Sequence, residues 1–489
     1  MGKENPIDFR SQLDSFRVDV HLSKDVMSEG NPLVACYVAL NLLPRFLKCV
    51  KYDGPPEVLK LLRPSQIKKL NFGKDDWNAS MTLVFGNKII PQEKNPLYVN
   101  SSGWSSYLST KQPCSWNPIF HNKLTALYAG AMAVGEVFKN LLPEVNADKI
   151  SHFEYDLVTH GNAKQPVIEP RMPEMINLGN LAIIGCGAVG QAFCFGLKFS
   201  ARLTGKIILF DQDNFDQSNE QRYVDANEEN RGLNKSQYLA SFLQSNNPAL
   251  ILLPINIKYE DYVSSTENPL REEVVVSVDN VWTRVNVQSA LPKIIWNGWT
   301  DVSSGSLRYG VSKHSLDNEN ECLSCYYYPD GTSPSEMEMN SIMTGLPKEE
   351  IQQLLDSKAI CTRKIIEKVS RNTGVPIKTL LPNLNQPFHK LLHGDCGIFT
   401  QRIHGIGVIA PAPHQSMLTG ILLASQFILS KLELSKDAKL IESLSDFDAL
   451  KIPNSSCIMT ALKNPKCICS DPVYQKAFNE KWNSKKTGS

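Results

Sequence analysis

Apolar residues cluster along the chain in runs whose spacing separates strands from helices. Leu181–Ile184 and Lys206–Phe210 are short, continuous apolar runs that read as buried strands, and Met81–Phe85 reads the same way. Residues Pro32–Lys48 carry an apolar helical pattern that Pro44 kinks or ends, and His121–Leu142 predicts a second helix in which Ala126, Ala129, Ala131 and Ala133 suit close packing. Lys348–Val369 predicts a charged helical stretch, and Leu381–Pro387 a Pro/Asn-rich loop. Gly407–Leu432 is too apolar for an exposed helix and predicts a long core or interface helix. The charged tail after Asp471 is expected to fray.

The turn between the first two strands changes the picture. Gly185, Gly187 and Gly190 form G-x-G-x-x-G directly after the first strand, a small-residue helix follows from Gln191, and the second strand ends on Asp211. Glycines there let backbone N–H groups approach phosphates, the helix N-terminus favours negative charge, and the acid can take ribose hydroxyls. Dehydrogenases use the same loop, but the residues downstream of it serve a different chemistry. Asp213, Asn219, Arg222, Lys235 and Asp279 come in order behind it. Hydride transfer needs none of these, whereas forming an acyl-adenylate requires cations on a departing pyrophosphate and a hard oxygen ligand for magnesium. Arg222 and Lys235 fit the phosphate role and Asp279 the Mg2+ role.

At these residues the chain resembles the ubiquitin-activating enzymes and their ThiF/MoeB-type bacterial relatives, which adenylate ThiS- and MoaD-type sulfur carriers. The family pattern D-x-D-x-V-x-x-S-N-L-x-R-Q reads here Asp211-Gln-Asp213-Asn-Phe-Asp-Gln-Ser218-Asn219-Glu-Gln-Arg222-Tyr, followed by Lys235 and by Asp279-Asn280 with Arg284. Glu220 replaces the usual leucine and Tyr223 the usual glutamine. The resemblance is specific over residues 178–330 and looser over 395–470. It implies an α/β, Rossmann-like adenylation fold, with ATP bound by Gly185, Gly187, Gly190, Asp211, Asp213, Asn219, Arg222, Lys235 and Asp279. It also implies activation of the C-terminal carboxylate of a ubiquitin-like protein ending in glycine, thioester formation on a cysteine, and transfer to a conjugating enzyme. Sulfur-carrier adenylation is the alternative, and a scaffold without turnover is disfavoured because the nucleotide set is complete.

Members work as pairs of adenylation folds, one active and one degenerate, so a homodimer or an internal pseudo-dimer is expected. The organisation expected here is an N-terminal α/β segment (1–175), possessing no glycine loop and open to reading as the degenerate partner or as an unrelated module, then the active adenylation domain (176–330). A crossover insertion with the catalytic cysteine (331–404) and a C-terminal closing segment (405–489) follow.

Twelve cysteines in a chain whose first residues are charged and lack an apolar core read as cytoplasmic thiols rather than a disulfide framework. Cys322-x-x-Cys325 and Cys467-x-Cys469 are expected to form a four-thiolate Zn2+ site, a reading supported by the paired C-x-x-C sites of many family members. Cys36, Cys49, Cys186 and Cys194 read as core residues. Two thiols are candidates for the nucleophile. Cys396, in His393-Gly394-Asp395-Cys396-Gly397 before the closing helix, lies where ThiF-like relatives place a reactive cysteine. Cys361, the alternative, resembles the Cys-Thr start of the eukaryotic catalytic loop. Arginines supplied across an interface have only Arg10 and Arg17 as N-terminal candidates. Fifty-one Lys and Arg against 50 Asp and Glu leave a net charge of +1, which argues against nucleic acid as a partner, and no apolar run is long enough to predict a membrane span.

Overall fold

The computed structural model describes residues 13–24, 30–73, 78–116, 120–141, 146–265, 272–301, 306–317, 319–327, 337, 340–341, 344–374, 376–393, 400–403, 406–409, 412–433 and 444–482. The apolar runs of the glycine-loop region become adjacent parallel strands, β7 (Met175–Ile184) and β8 (Arg202–Phe210), with Ile184 opposite Phe210. Strands β9 (Leu250–Ile255), β10 (Glu273–Val276) and β11 (Ile294–Asp301) extend this parallel sheet, and β12 (Arg308–His314) closes it antiparallel in the order β9-β8-β7-β10-β11-β12. The fold is therefore α/β, with a Rossmann-like parallel sheet. Its chain reverses direction of growth between β7 and β10, the place where open parallel sheets bind ligands.

A second sheet precedes it. Strands β1 (Arg17–Leu22), β2 (Cys49–Asp53), β3 (Met81–Phe85) and β4 (Pro96–Ser102) are parallel, while β5 (Ser105–Ser109) and β6 (His152–Asp156) are antiparallel, in the order β2-β1-β3-β4-β5-β6. The order β2-β1-β3-β4-β5 repeats β8-β7-β10-β11-β12 of the other sheet, outside which β9 lies. The helices repeat too. Helix α1 (Asn31–Leu42) joins β1 to β2 as α3 (Ala188–Ser200) joins β7 to β8, and α2 (Lys123–Leu141) follows the antiparallel β5 as α8 (Pro413–Leu429) follows β12. After each of these long helices a short antiparallel strand returns to the sheet, β6 beside β5 and Leu444–Ser445 beside β12.

Helix α1 packs on α2, α2 on α8 and α8 on α3. Small residues set that approach: a Cβ on Gly420 would lie 2.3 Å from Ala192 Cβ, and one on Gly130 would lie 2.5 Å from the Ala35 carbonyl oxygen. Every residue of α1 and α8 is buried, so their apolar composition reflects an interior position rather than an amphipathic surface. No helix among the described residues is long and apolar enough to cross a membrane.

Three local expectations are corrected. Residues Ile406–Ile409 pair with Thr400–Ile403 as a hairpin, so the apolar run from Gly407 becomes helical only at Pro413, where proline's fixed φ suits a helix start. The charged stretch Lys348–Val369 is two helices, α6 (Lys348–Asp356) and α7 (Arg363–Thr373), because Lys358 adopts φ +50° and Thr362 caps α7 through the Ile365 N–H. The tail does not fray at Asp471: α9 (Pro472–Trp482) buries Phe478, and Lys481 Nζ and Trp482 Nε1 donate to the Leu291 carbonyl.

Two compact units result, one of residues 1–326 with 411–489 and one of residues 327–410. The second has its own core of Leu346, Ile351, Cys361, Ile366, Val369, Phe388 and Leu392.

His414, at the start of α8, packs its ring on Phe138 and has neither ring nitrogen hydrogen-bonded. Burial, with Lys139 nearby, lowers its pKa to about 3. A folded-state pKa below the unfolded value stabilises above the unfolded pKa of about 6.5 and loses that contribution as pH falls. Denaturant unfolding at pH 7 and pH 4.5 should therefore show a loss of about 2–3 kcal/mol that His414→Leu removes. An identical acid sensitivity in the variant would exclude His414 as the cause.

Candidate active site

The glycine loop is built around three backbone demands. Gly185 leaves β7 at φ +91°, a left-handed conformation that glycine adopts freely. Gly187 caps the N-terminus of α3. A Cβ on Gly190 would stand 2.2 Å from the Gly185 carbonyl oxygen and 2.8 Å from Ser277 Oγ, so this turn tolerates no side chain there. Ser277 locks the turn from the neighbouring strand by donating to the Gly185 carbonyl at 2.7 Å. Neither its position nor its type marks it in the sequence beyond its place just before Val278-Asp279.

Asp211 fastens the loop to β8. Its carboxylate accepts the Cys186 N–H at 2.7 Å and the Asp213 N–H at 2.9 Å. Burial raises its pKa, with Lys235 and these two N–H groups pulling against the shift. Asn234 joins this turn to the next helix: its amide donates to the Asp213 carbonyl at 3.1 Å and its carbonyl oxygen caps α4 (Lys235–Gln244) through the Gln237 N–H. An Asn directly before a helical run is a readable cap signal.

Lys235, the first residue of α4, is 6% exposed and its Nζ lies 3.2 Å from Asp213 Oδ2 and 5.5 Å from the Tyr223 ring centre. Burial opposes its charge, yet Tyr223, Asp211 and Asp213 outweigh burial and raise its pKa. Arg222 is half-buried, its Nε has no hydrogen-bond partner, and its guanidinium lies 5.6 Å from the same ring. The Tyr223 hydroxyl would lie 3.4 Å from a Cβ on Gly187, so Tyr223, Arg222 and Lys235 converge beside the glycine loop. Asn219 is buried, and its side-chain oxygen accepts the Asp216 N–H at 3.2 Å, which makes it part of the turn carrying Arg222.

Asp279 is exposed, three residues beyond the end of β10, and the preceding Val278 packs against Gly185. Arg284, buried, donates to the Val278 carbonyl, to Asn297 Oδ1 and to the Gly298 carbonyl at 3.2 Å, while Asn280 caps α5 (Val281–Ser289). Asp279 is thus presented to solvent beside the loop, as a carboxylate able to hold a hard cation.

The structure also brings Cys322, Cys325, Cys467 and Cys469 together, with all four Sγ atoms within 4.8 Å of one another. Cys322 lies 3.8 Å from Cys325 and 3.7 Å from Cys467, and Cys325 lies 3.3 Å from Cys469. Bonds of about 2.3 Å to a tetrahedral ion place sulfur atoms about 3.8 Å apart, so this donor set fits such an ion. The cluster packs on Phe478, Tyr474 and Trp482 of α9.

The nucleophile candidates part company. Cys361 is fully buried in the core of residues 327–410, its backbone N–H donates to the Gln386 carbonyl at 2.7 Å, and burial raises its thiol pKa. In this conformation it is a packed thiol. Cys396 and Arg10 lie outside the described residues. Arg17 begins β1, where its N–H donates to Ser80 Oγ. Arg45 does cross from the first-sheet segment: its Nη2 donates at 2.7 Å to the Val224 carbonyl beside Arg222 and Tyr223, and no motif announces it.

Comparison with known proteins gives a family match and weaker likenesses. Residues 162–469 match the ThiF family. The uncharacterized protein y4jF of Sinorhizobium fredii is 24% identical over 502 residues, spanning 98% of this chain and 93% of its own. Solved structures of E. coli MccB are similar at low identity. One, with MccA-N7isoASN, is 16% identical with a TM-score of 0.35, covering 60% of this chain and 67% of that one. Another, with ATP, is 15% identical with the same TM-score and coverage.

Proposed function

This chain belongs to the ThiF family, and we propose that it uses ATP to activate the C-terminal carboxylate of a ubiquitin-like protein ending in glycine. The observation that carries the reading is the convergence of buried Lys235 with Arg222 beside the glycine loop, an arrangement that hydride transfer does not call for. A carboxylate oxygen attacks the α-phosphorus, the bond to the bridging oxygen of the β-phosphate breaks, and pyrophosphate leaves from an acyl-adenylate. Lys235 and Arg222 stabilise the charge on the departing group, the loop N–H groups and the α3 N-terminus hold phosphate, and Asp211 holds ribose. Asp279 would hold Mg2+, which supplies charge neutralisation on the triphosphate. Cys322, Cys325, Cys467 and Cys469 would hold a structural Zn2+ that leaves no open position for chemistry.

The repeated strand order supports an internal pair of adenylation folds, with residues 1–175 as the degenerate member: its β1–α1 turn carries no G-x-G-x-x-G. A cysteine in the insertion then attacks the acyl-adenylate, forming a thioester and releasing AMP, and the acyl group passes to a conjugating enzyme. We assign this role to Cys396. The burial of Cys361 favours, as a second reading, an enzyme that stops at the adenylate, as sulfur-carrier activation requires.

The test is exchange of labelled pyrophosphate into ATP with a panel of ubiquitin-like proteins, each intact and with its terminal glycine deleted. Exchange is expected only with an intact member. A thiol-sensitive adduct on denaturing gels that Cys396→Ala removes, with exchange retained, is expected for the thioester route. Exchange without any adduct would select the second reading, and no exchange with any member would exclude a ubiquitin-like substrate.

A further inference from the structure

The nucleotide-binding half does not hold its phosphate-handling segment by itself. Residues 222–227 run between two short 3-10 turns, Gln217–Gln221 and Glu228–Asn230, and contain no helix or strand of their own. The Tyr223 carbonyl accepts the Ala226 N–H and the Asp225 carbonyl accepts from Asn227 and Asn230, whereas those of Glu220, Val224 and Ala226 take partners from elsewhere. Arg45, just after α1 of the first sheet, provides them. Its Nη1 donates to the carbonyls of Glu220 at 2.5 Å and Ala226 at 3.1 Å, and its Nη2 donates to that of Val224 at 2.7 Å. The remaining donors are spent on Asn41, whose side-chain oxygen accepts Nη2 at 2.7 Å and whose carbonyl accepts Nε at 3.0 Å.

Glu220 and Val224 bracket Arg222 and Tyr223, so one guanidinium grips the backbone on both sides of the pair that stands over the glycine loop. Burial lowers the Arg45 pKa to about 10, with Asp225 opposing the shift, so the group is charged at neutral pH. The same seam is fastened twice more. Ser65 donates its N–H and Oγ to Glu229 at 3.0 and 2.7 Å, and Arg63 donates to Tyr238 Oη at 3.1 Å while that hydroxyl donates to Asp225. The contacts that Arg45, Arg63 and Ser65 make across this seam all land between residues 220 and 238.

We infer that Arg45 is a positioning residue for ATP activation, through which residues 1–175 set the orientation of Arg222 at the phosphates. The inference rests on the adenylation reading. Arg45 itself has no donor left for a nucleotide; it acts through the segment it grips. Its fork geometry is what the role needs. A lysine offers one point charge and cannot serve three carbonyls that diverge around a turn.

The experiment is MgATP binding by calorimetry to the full chain and to Arg45→Ala, Arg45→Lys, Arg222→Ala and Arg45→Ala/Arg222→Ala. A displaced Arg222 should weaken binding about ten- to a hundredfold in both Arg45 variants. Because Arg45 acts through Arg222, the double variant should bind no more weakly than Arg222→Ala alone. A residue that merely stabilises the fold would, when replaced, lower the unfolding temperature and leave MgATP affinity at the wild-type value. Wild-type affinity in Arg45→Lys, or additive losses in the double variant, would overturn the inference while leaving the nucleotide reading intact. If Arg45→Ala does not fold, Arg45→Lys with Arg45→Lys/Arg222→Ala gives the same comparison. A wild-type chain with no MgATP affinity would sink the nucleotide reading, and this inference with it.

Discussion

Replacing Lys235 by alanine is expected to lower pyrophosphate exchange by about a hundred- to a thousandfold in kcat, the usual cost of removing one preorganised charge from a developing anion. The expectation follows from how the lysine is held. It is buried at the N-terminus of α4, its Nζ is tied to Asp213 at 3.2 Å, and its charge is retained against burial by Tyr223, Asp211 and Asp213. Nothing has to reorganise when pyrophosphate departs, which is why such a group acts more strongly than a solvated lysine. Lys235→Arg, charged but longer and forked, should recover only part of the loss. Exchange at the wild-type rate in Lys235→Ala, measured on protein with unchanged unfolding temperature, would remove Lys235 from the chemistry.

The second large effect concerns stability. One Zn2+ per chain is expected by metal analysis, and stripping it, or replacing any one of Cys322, Cys325, Cys467 and Cys469 by serine, should cost several kcal/mol, since structural zinc contributes about 10 kcal/mol or more in small peptides. The loss should appear first at α9, because Tyr474, Phe478 and Trp482 pack on the cluster. Amide exchange in residues 472–482 should speed up while MgATP affinity holds, as a site closed by four thiolates takes no part in the reaction. Absence of metal, together with four thiols that react freely in the folded chain, would exclude the site.

Much of the candidate nucleotide site was legible because it is local. The two apolar runs, the three glycines and Asp211 lie within 31 residues, and the constraints on them are steric and electrostatic demands of a single strand–turn–helix–strand unit. Gly190 had to be glycine because the turn leaves 2.2 Å for a Cβ, a requirement that the G-x-G-x-x-G spacing announces. The two cysteine pairs were equally visible as pairs, since each sits on one short loop.

What the sequence by itself determined, then, was the set of parts: a glycine loop with its acid, an ordered series of cations and carboxylates, and two pairs of thiols. Tertiary structure decided which parts meet. Helical periodicity could not show that Lys348–Val369 breaks at Lys358, because the closing turn there, with the Lys358 N–H on the Leu355 carbonyl and the Ala359 N–H on the Leu354 carbonyl, puts a lysine at the positive φ that a glycine usually announces. Charge could not show that the tail after Asp471 is ordered, because what orders it is the cysteine cluster and the carbonyls of Ala290 and Leu291. A Cys-Thr pair reads alike whether exposed or buried, and only the core of residues 327–410 decided that Cys361 is packed. The sharpest case is Arg45, which follows a helix of ordinary composition and meets its carbonyl partners some 175 to 181 residues along the chain. Backbone carbonyls carry no sequence signature, so an arginine that binds three of them leaves no motif; only the fold that closes the two sheets onto one helical layer brings it there.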